Sequence, residues 1–330
     1  MPHVVAAPDR FGATASSRQV AAAVARAADR AGWTCDEAPV SDGGVGILDA
    51  LGGAVRRTQA RGPLSDATTA EWRMGGSTAV IEMAQVAGLD LVGGPEWNDP
   101  MRASTAGVGD LIVAAAAAGA TRIVVGVGGS ASTDGGFGCV RALGPRGLRG
   151  VDVVVACDVA TTFVDAAHQF ATRKGATPSQ AALLSRRLER LAQVYEEENG
   201  VDVRDLPGSG AAGGLAGGLA ALGAKLVAGF ELVADSIDLG PRIEGADLAV
   251  TGETFLDEHS FQGGAVGGVI ELSREVSVPV LTVVLESDGE QTDPVIDLAG
   301  RFGRERAVTA TVECVEEAMA VHLAGAVAPG

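Results

Sequence analysis

The chain has 330 residues, 47% of them hydrophobic, 4% aromatic and 47 of them glycine. That length and apolar content call for one large or two smaller folded domains and exclude a disordered chain. Forty-two acidic residues against 25 basic ones give a formal charge of −17, which argues against nucleic acid and anionic membranes as partners.

His3 to Ala7 reads as a short apolar strand stopped by Pro8-Asp9. Ser16 or Ser17 then caps a helix with Val20, Ala23, Val24 and Ala27 on one face, closed by Gly32. Thr78 to Met83 is a second strand. A helix after Gly107, with Leu111 and Ile112 inward, leads to a strand at Ile123-Val124-Val125. Val153 to Ala156 is a buried strand running into Cys157-Asp158. Thr177-Pro178-Ser179-Gln180 is a capping box with proline at the first helical position, and Leu184, Leu188 and Leu191 share one face of its helix. Ala246 to Val250 is a strand entering Thr251-Gly252-Glu253, and Val278 to Val284 is the last clear one. Such alternation predicts an α/β architecture with mostly parallel sheets and flanking helices.

The most informative loop is Gly126 to Gly136 (GVGGSASTDGG), which leaves the C-terminal end of a strand. Its glycines let backbone N–H groups approach a ligand, and Ser130, Ser132, Thr133 and Asp134 add hydroxyls and a carboxylate. It suits a phosphate or a small polyoxygenated substrate. Asp9, Asp134, Asp158 and Glu253 all stand just past strand ends, where open α/β sheets bind ligands. Acids there orient a hydroxyl, take its proton or hold Mg²⁺; the plainer alternative for each is a helix cap. Ser209 to Leu215 (SGAAGGL) is a second glycine-rich helix opening, suited either to an anion or to close packing. No standard P-loop occurs. Gly126-x-Gly128-x-x-Ala131 fits a relaxed dinucleotide fingerprint, which keeps a nicotinamide-dependent enzyme in view.

Cys35, Cys139, Cys157 and Cys314 form no C-x-x-C pair and the four histidines are scattered, so neither disulfides nor a zinc site is expected and no metal ligand is assigned. With no apolar run long enough to span a bilayer and no basic-then-apolar leader, the chain reads as a soluble cytoplasmic protein.

Several blocks resemble the glycerate kinase family, whose bacterial members phosphorylate a small hydroxy acid from ATP. They are Ala7-Pro8-Asp9, Ser41-Asp42-Gly43-Gly44, Thr78 to Ala84, Gly107 to Ile112, Gly128 to Gly136, Ala156 to Val159, Lys174 to Pro178, Leu206 to Leu215 and Ala246 to Glu253. The resemblance implies a two-domain glycerate-kinase-like fold with the active-site cleft between the domains. A Rossmann- or flavodoxin-like domain would comprise residues 1–77 and 270–330, with residues 78–269 inserted as a second α/β domain. It implies ATP and Mg²⁺ as ligands and D-glycerate or a similar small hydroxy acid as acceptor. Asp9, Asp158 and Lys174 are then the candidate catalytic residues. Gly128, Gly129, Ser130, Asp134, Ser209, Gly210, Gly213, Glu253 and Asp257 are the candidate substrate- or phosphate-binding residues. A homodimer is left open.

The chain also departs from the family pattern. Gly12 and Gly264 stand where the family usually has lysine, Val45 where it favours glutamate, and His259 where it has glutamine. Phosphoryl transfer is mainly positioning and charge neutralisation, so two missing lysines bear directly on rate. Arg10 is the candidate compensating cation. The alternative is a catalytically impaired paralogue with a ligand-sensing or protein-interaction role.

Overall fold

The computed structural model describes residues 1–256, 260, 264–288 and 294–326. They form two compact units, one of residues 1–42, 49–51 and 230–330, the other of residues 43–48 and 52–229.

The first unit is built on five parallel strands in the order β11-β10-β9-β1-β2. These are β1 (His3–Ala6), β2 (Thr34–Glu37), β9 (Leu248–Leu256), β10 (Val280–Ser287) and β11 (Val295–Asp297). Val4, Val5 and Leu281 to Leu285 are buried, as continuous apolar strands covered on both faces should be. The helix Ser17–Arg30 starts where expected: Ser16 caps it, in a reciprocal box with Gln19. Its Val20, Ala23, Val24 and Ala27 pack in one core with Cys314, Val315, Ala318 and Met319 of the helix Thr311–Ala326. β9 runs six residues past Val250, so Thr251-Gly252-Glu253 lies inside the ladder, with Glu253 opposite Val284.

The second unit carries a six-stranded sheet in the order β3-β4-β5-β6-β7-β8. β3 (Ala54–Arg61), β4 (Ala67–Gly75) and β5 (Thr78–Glu82) are antiparallel neighbours. β5 to β8 run parallel through β6 (Arg122–Gly126), β7 (Asp152–Cys157) and β8 (Lys225–Ala228). Ile123, Val125, Val153 and Val155 are core residues beneath Leu111 and Ile112 of the helix Ala106–Ala117. The helix Pro178–Asn199 has the predicted Thr177–Gln180 capping box and buries Leu184, Leu188 and Tyr195 over Phe163. Among the described residues no helix is long and apolar enough to cross a membrane.

Candidate functional site

In the second unit, β6 ends at Gly126 and the next helix begins only at Phe137, so ten residues form the loop between them. A Cβ on Gly128 would stand 2.6 Å from the Gly44 Cα, so only glycine fits there. The loop is pinned by the segment before it: Leu89 donates to the Gly129 carbonyl at 2.8 Å and Ala131 to the Ala87 carbonyl at 2.8 Å. Lys174 closes a short turn after Ala171 and is buried, with 7% of its surface exposed. Its Nζ donates to Ser130 Oγ at 2.6 Å and to the Ser132 carbonyl at 2.7 Å. Asn98 Nδ2 ties both strands of this contact, donating to the Ala131 and Lys174 carbonyls. Burial brings the Lys174 ammonium down to about 7, with the Asp134 charge opposing the fall.

These groups wall a cavity of about 300 Å³. Gly128, Gly129 and Ser130 form one side, Arg173 and Lys174 another, and Asp158, exposed past the end of β7, a third. Ala212 and Gly213 complete it. Three predicted groups, the glycine loop, Lys174 and Asp158, are therefore brought together.

The second glycine-rich segment does not open its helix in the ordinary way. Ala212, Gly213 and Gly214 all have left-handed backbones, with φ of 53°, 67° and 90°. A Cβ on Gly213 would lie 2.2 Å from the Ser132 carbonyl, and the Gly213 carbonyl accepts from Gly135 N at 3.0 Å. The turn thus packs closely against the carbonyl that accepts from Lys174. Strain of this kind on the non-glycine Ala212 costs about 1–2 kcal/mol. The buried hydroxyls of Ser132 and Thr133 have no hydrogen-bond partner within the protein, and their chemistry suits an oxyanion.

Two expected binding residues turn inward instead. Asp134 is half-buried and accepts from Thr105 N, Thr105 Oγ1, Gly136 N and Gly138 N. Burial raises its carboxyl despite those donors. Its position suits pinning the helices Ala106–Ala117 and Phe137–Leu143 rather than touching a ligand. Ser209 Oγ donates to the Val203 and Leu206 carbonyls, and Gly210 N donates to the Thr161 carbonyl. The dinucleotide reading lacks its helix, because the chain stays irregular for ten residues after Gly126.

In the first unit, Asp9 follows β1 and donates its N–H to the Gly252 carbonyl of β9. Its carboxyl is pushed well up, first by burial, then by the charge of Asp42 and, less, of Glu253. Arg10 folds back on its own loop, with Nε and Nη2 donating to the Gly12 carbonyl at 2.9 and 2.5 Å. Its cation therefore sits at the backbone of the position where the family usually carries lysine. Gly12 has φ of 54°, and a Cβ there would lie 3.2 Å from Thr254 Oγ1. Among the described residues no group of three or more His, Cys, Asp or Glu is placed to hold a metal. Magnesium in phosphoryl transfer usually needs only one or two carboxylates plus phosphate oxygens, and the mutually repelling Asp9 and Asp42 have that chemistry. Asp257 and His259 lie outside the described residues.

Sequence reasoning missed Arg173, Asn98 and the left-handed backbone at Ala212. Asn98 precedes Asp99-Pro100, a turn signal; nothing local marks Arg173 or the strained Ala212.

Comparison with known proteins places this geometry. Residues 4–149 and 145–321 match the glycerate kinase family. The chain is 34% identical over 333 residues to glycerate 2-kinase of Escherichia coli K12, covering 88% of this chain and 86% of that one. It is 35% identical over 324 residues to a glycerate kinase of Halalkalibacterium halodurans, covering 86% and 85%. It is also 39% identical over 301 residues to an uncharacterized protein of Mycobacterium bovis, covering 85% and 78%. A solved Salmonella typhimurium LT2 chain assigned as glycerate kinase 2 superposes with a TM-score of 0.82 at 30% identity, covering 98% of this chain and 99% of that one. The chain belongs to the glycerate kinase family.

Proposed function

We propose that the protein transfers a phosphoryl group from ATP to a hydroxyl of D-glycerate or a similar small hydroxy acid. The observation that carries this reading is the buried Lys174 ammonium, held by Ser130 and Ser132 at the wall of a cavity that also holds Arg173 and Asp158. Arg173 and the loop from Gly128 to Ser130 suit a carboxylate or phosphate. Lys174 supplies positive charge where the transferring group gathers negative charge. The Asp158 carboxylate accepts the proton of the acceptor hydroxyl, whose oxygen forms the new P–O bond as the bond to the ADP oxygen breaks. Mg²⁺ would supply further neutralisation of phosphate charge when bound, and within the first unit the Asp9 and Asp42 carboxylates have the chemistry to hold it. Asp9, with its raised carboxyl, is the second candidate base.

Asp158→Asn should lower kcat by roughly 10²–10⁴-fold with folding unchanged, because the residue is exposed. Asp9→Asn, run beside it with glycerate-dependent ADP release as the readout, separates the two candidates. If Asp158→Asn keeps full activity, Asp158 is not the base.

A catalytically impaired, ligand-binding paralogue is the second reading. The left-handed Gly12 favours it, since a lysine there would be strained and this loop is built without one. Binding of D-glycerate and ATP without any turnover would select it.

A further inference from the structure

The segment from Ala87 to Asn98 touches both halves of the Lys174 contact. On the loop side, Leu89 N donates to the Gly129 carbonyl and Ala131 N to the Ala87 carbonyl. On the other side, Gly175 has φ of 91° and packs so closely on Pro95 that a Cβ would lie 2.0 Å from the Pro95 carbonyl. Asn98 joins the halves directly. Its Nδ2 donates to the Ala131 carbonyl at 3.0 Å and to the Lys174 carbonyl at 2.8 Å, across 33 and 76 residues of sequence.

Ala131 lies between Ser130 and Ser132, the two residues that accept from Lys174 Nζ. The contacts therefore close a ring. It runs from the ammonium to Ser130, along the chain to Ala131, across the Asn98 amide to the Lys174 carbonyl, and back along the lysine side chain. Both hydrogens of Nδ2 are used, and turning the amide over would set its oxygen against two carbonyl oxygens, so its orientation is fixed.

A lysine stem is flexible, and a desolvated ammonium gains hydration by swinging out into water. Burial has brought this one down to about 7, so the outward pull is strong. The Ser130 hydroxyl and the Ser132 carbonyl at Nζ are neutral acceptors. Resisting the pull then falls to the backbone on either side of the contact, which the Asn98 amide clamps. We propose that Asn98 is a positioning residue for phosphoryl transfer, its amide fixing the Lys174 turn to the Ser130–Ser132 segment so that the ammonium stays in the cavity wall. Asn98 does not itself line the cavity, so it acts through Lys174. Its effect on catalysis rests on the kinase reading above; its hold on Lys174 does not.

The test compares wild type, Asn98→Ala, Asn98→Ser and a control, Tyr195→Phe, in the full chain. The control removes a buried hydrogen bond to the Gly135 carbonyl of the same loop without touching Lys174. The charged groups around Lys174 are Asp134, Asp158, Arg173 and Glu96, and no variant changes one of them. Urea unfolding from pH 6 to 10.5 reads the burial of Lys174 without substrate, because a buried ammonium makes stability rise between pH 7 and 10.5. Asn98→Ala should lose that rise, as the ammonium escapes to solvent, and kcat/KM for D-glycerate near pH 7 should fall about 10²-fold. Asn98→Ser, with one hydrogen for two carbonyls, should fall between, and it carries the test if the alanine variant does not fold. Tyr195→Phe should lower the unfolding midpoint yet keep the wild-type rise and kcat/KM. A wild-type rise and kcat/KM in the Asn98 variants, with only the midpoint lowered, would make the amide merely structural and overturn the proposal. Losses in Tyr195→Phe equal to those in Asn98→Ala would overturn it as well, as a general loosening of the loop. If wild type releases no ADP with D-glycerate, the kinase reading falls, and the stability profiles alone decide whether Asn98 seats Lys174.

Discussion

Lys174→Met tests the electrostatics of the site through stability, without requiring the substrate. The wild-type side chain is buried and its ammonium is brought from 10.5 to about 7 by desolvation. Because the folded state binds the proton less tightly than the unfolded one, the unfolded chain holds more protons between pH 7 and 10.5. Stability of the wild type must therefore rise with pH across that window. The gap corresponds to of order 5 kcal/mol, present in full as a cost below pH 7 and lost progressively as pH rises to 10.5. Methionine removes the charge at similar length but leaves the Ser132 carbonyl without its donor, at about 1–3 kcal/mol. Net, the variant should be more stable than wild type by roughly 2–4 kcal/mol near pH 6 and less stable by up to about 2 kcal/mol near pH 10. Urea unfolding at a series of pH values, followed through the buried Trp72 of the second unit, reads the difference. Parallel profiles for the two proteins, with no change of sign, would refute the burial argument. In kinetics, kcat/KM of the wild type should fall as pH rises through about 7, a limb absent in the variant.

Asp134→Ala removes an acceptor serving four part-buried donors and should cost at least about 1–3 kcal/mol, seen as a lower unfolding midpoint in urea. Gly213→Ala adds a Cβ 2.2 Å from the Ser132 carbonyl in a left-handed backbone. It should destabilise by more than about 1–2 kcal/mol and raise the KM for the acceptor by moving the contact that seats Lys174, whereas a midpoint and KM equal to wild type would count against that coupling. Gly12→Lys should not raise activity, since φ of 54° strains any side chain there. Arg10→Ala should lower kcat by about tenfold or more if Arg10 has taken over that charge, and unchanged kinetics would remove it from the site.

The parallel strands β1, β5, β6, β7, β9 and β10 were legible because they carry apolar runs such as Ile123-Val124-Val125 and Val153-Val154-Val155, and the helix at Pro178 because its capping box is local; the short, partly exposed β2, β8 and β11 were not. The hairpin of β3 and β4 was not, since AVRRTQAR is largely exposed and ATTAEWRMG buries only Ala70 and Trp72, and both are fixed by pairing with each other and with β5. The glycine loop, Asp158 and Lys174 were identifiable as candidates from motifs. What no motif conveys is burial: Asp134 and Ser209 look like ligand-binding groups in the sequence, yet their oxygens are taken up by backbone partners. Lys174, which composition alone would place in solvent, is enclosed by Ser130 and Ser132 from 44 and 42 residues away. Long-range contacts of that kind set proton affinities and cannot be read from local pattern.

The central claim is phosphoryl transfer to a small hydroxy acid, and the most direct measurement is ADP release by the purified protein with ATP and Mg²⁺, with and without D-glycerate. The account predicts release that depends on D-glycerate and collapses in Asp158→Asn. ATP and D-glycerate binding with no release at any pH between 6 and 9 would contradict it.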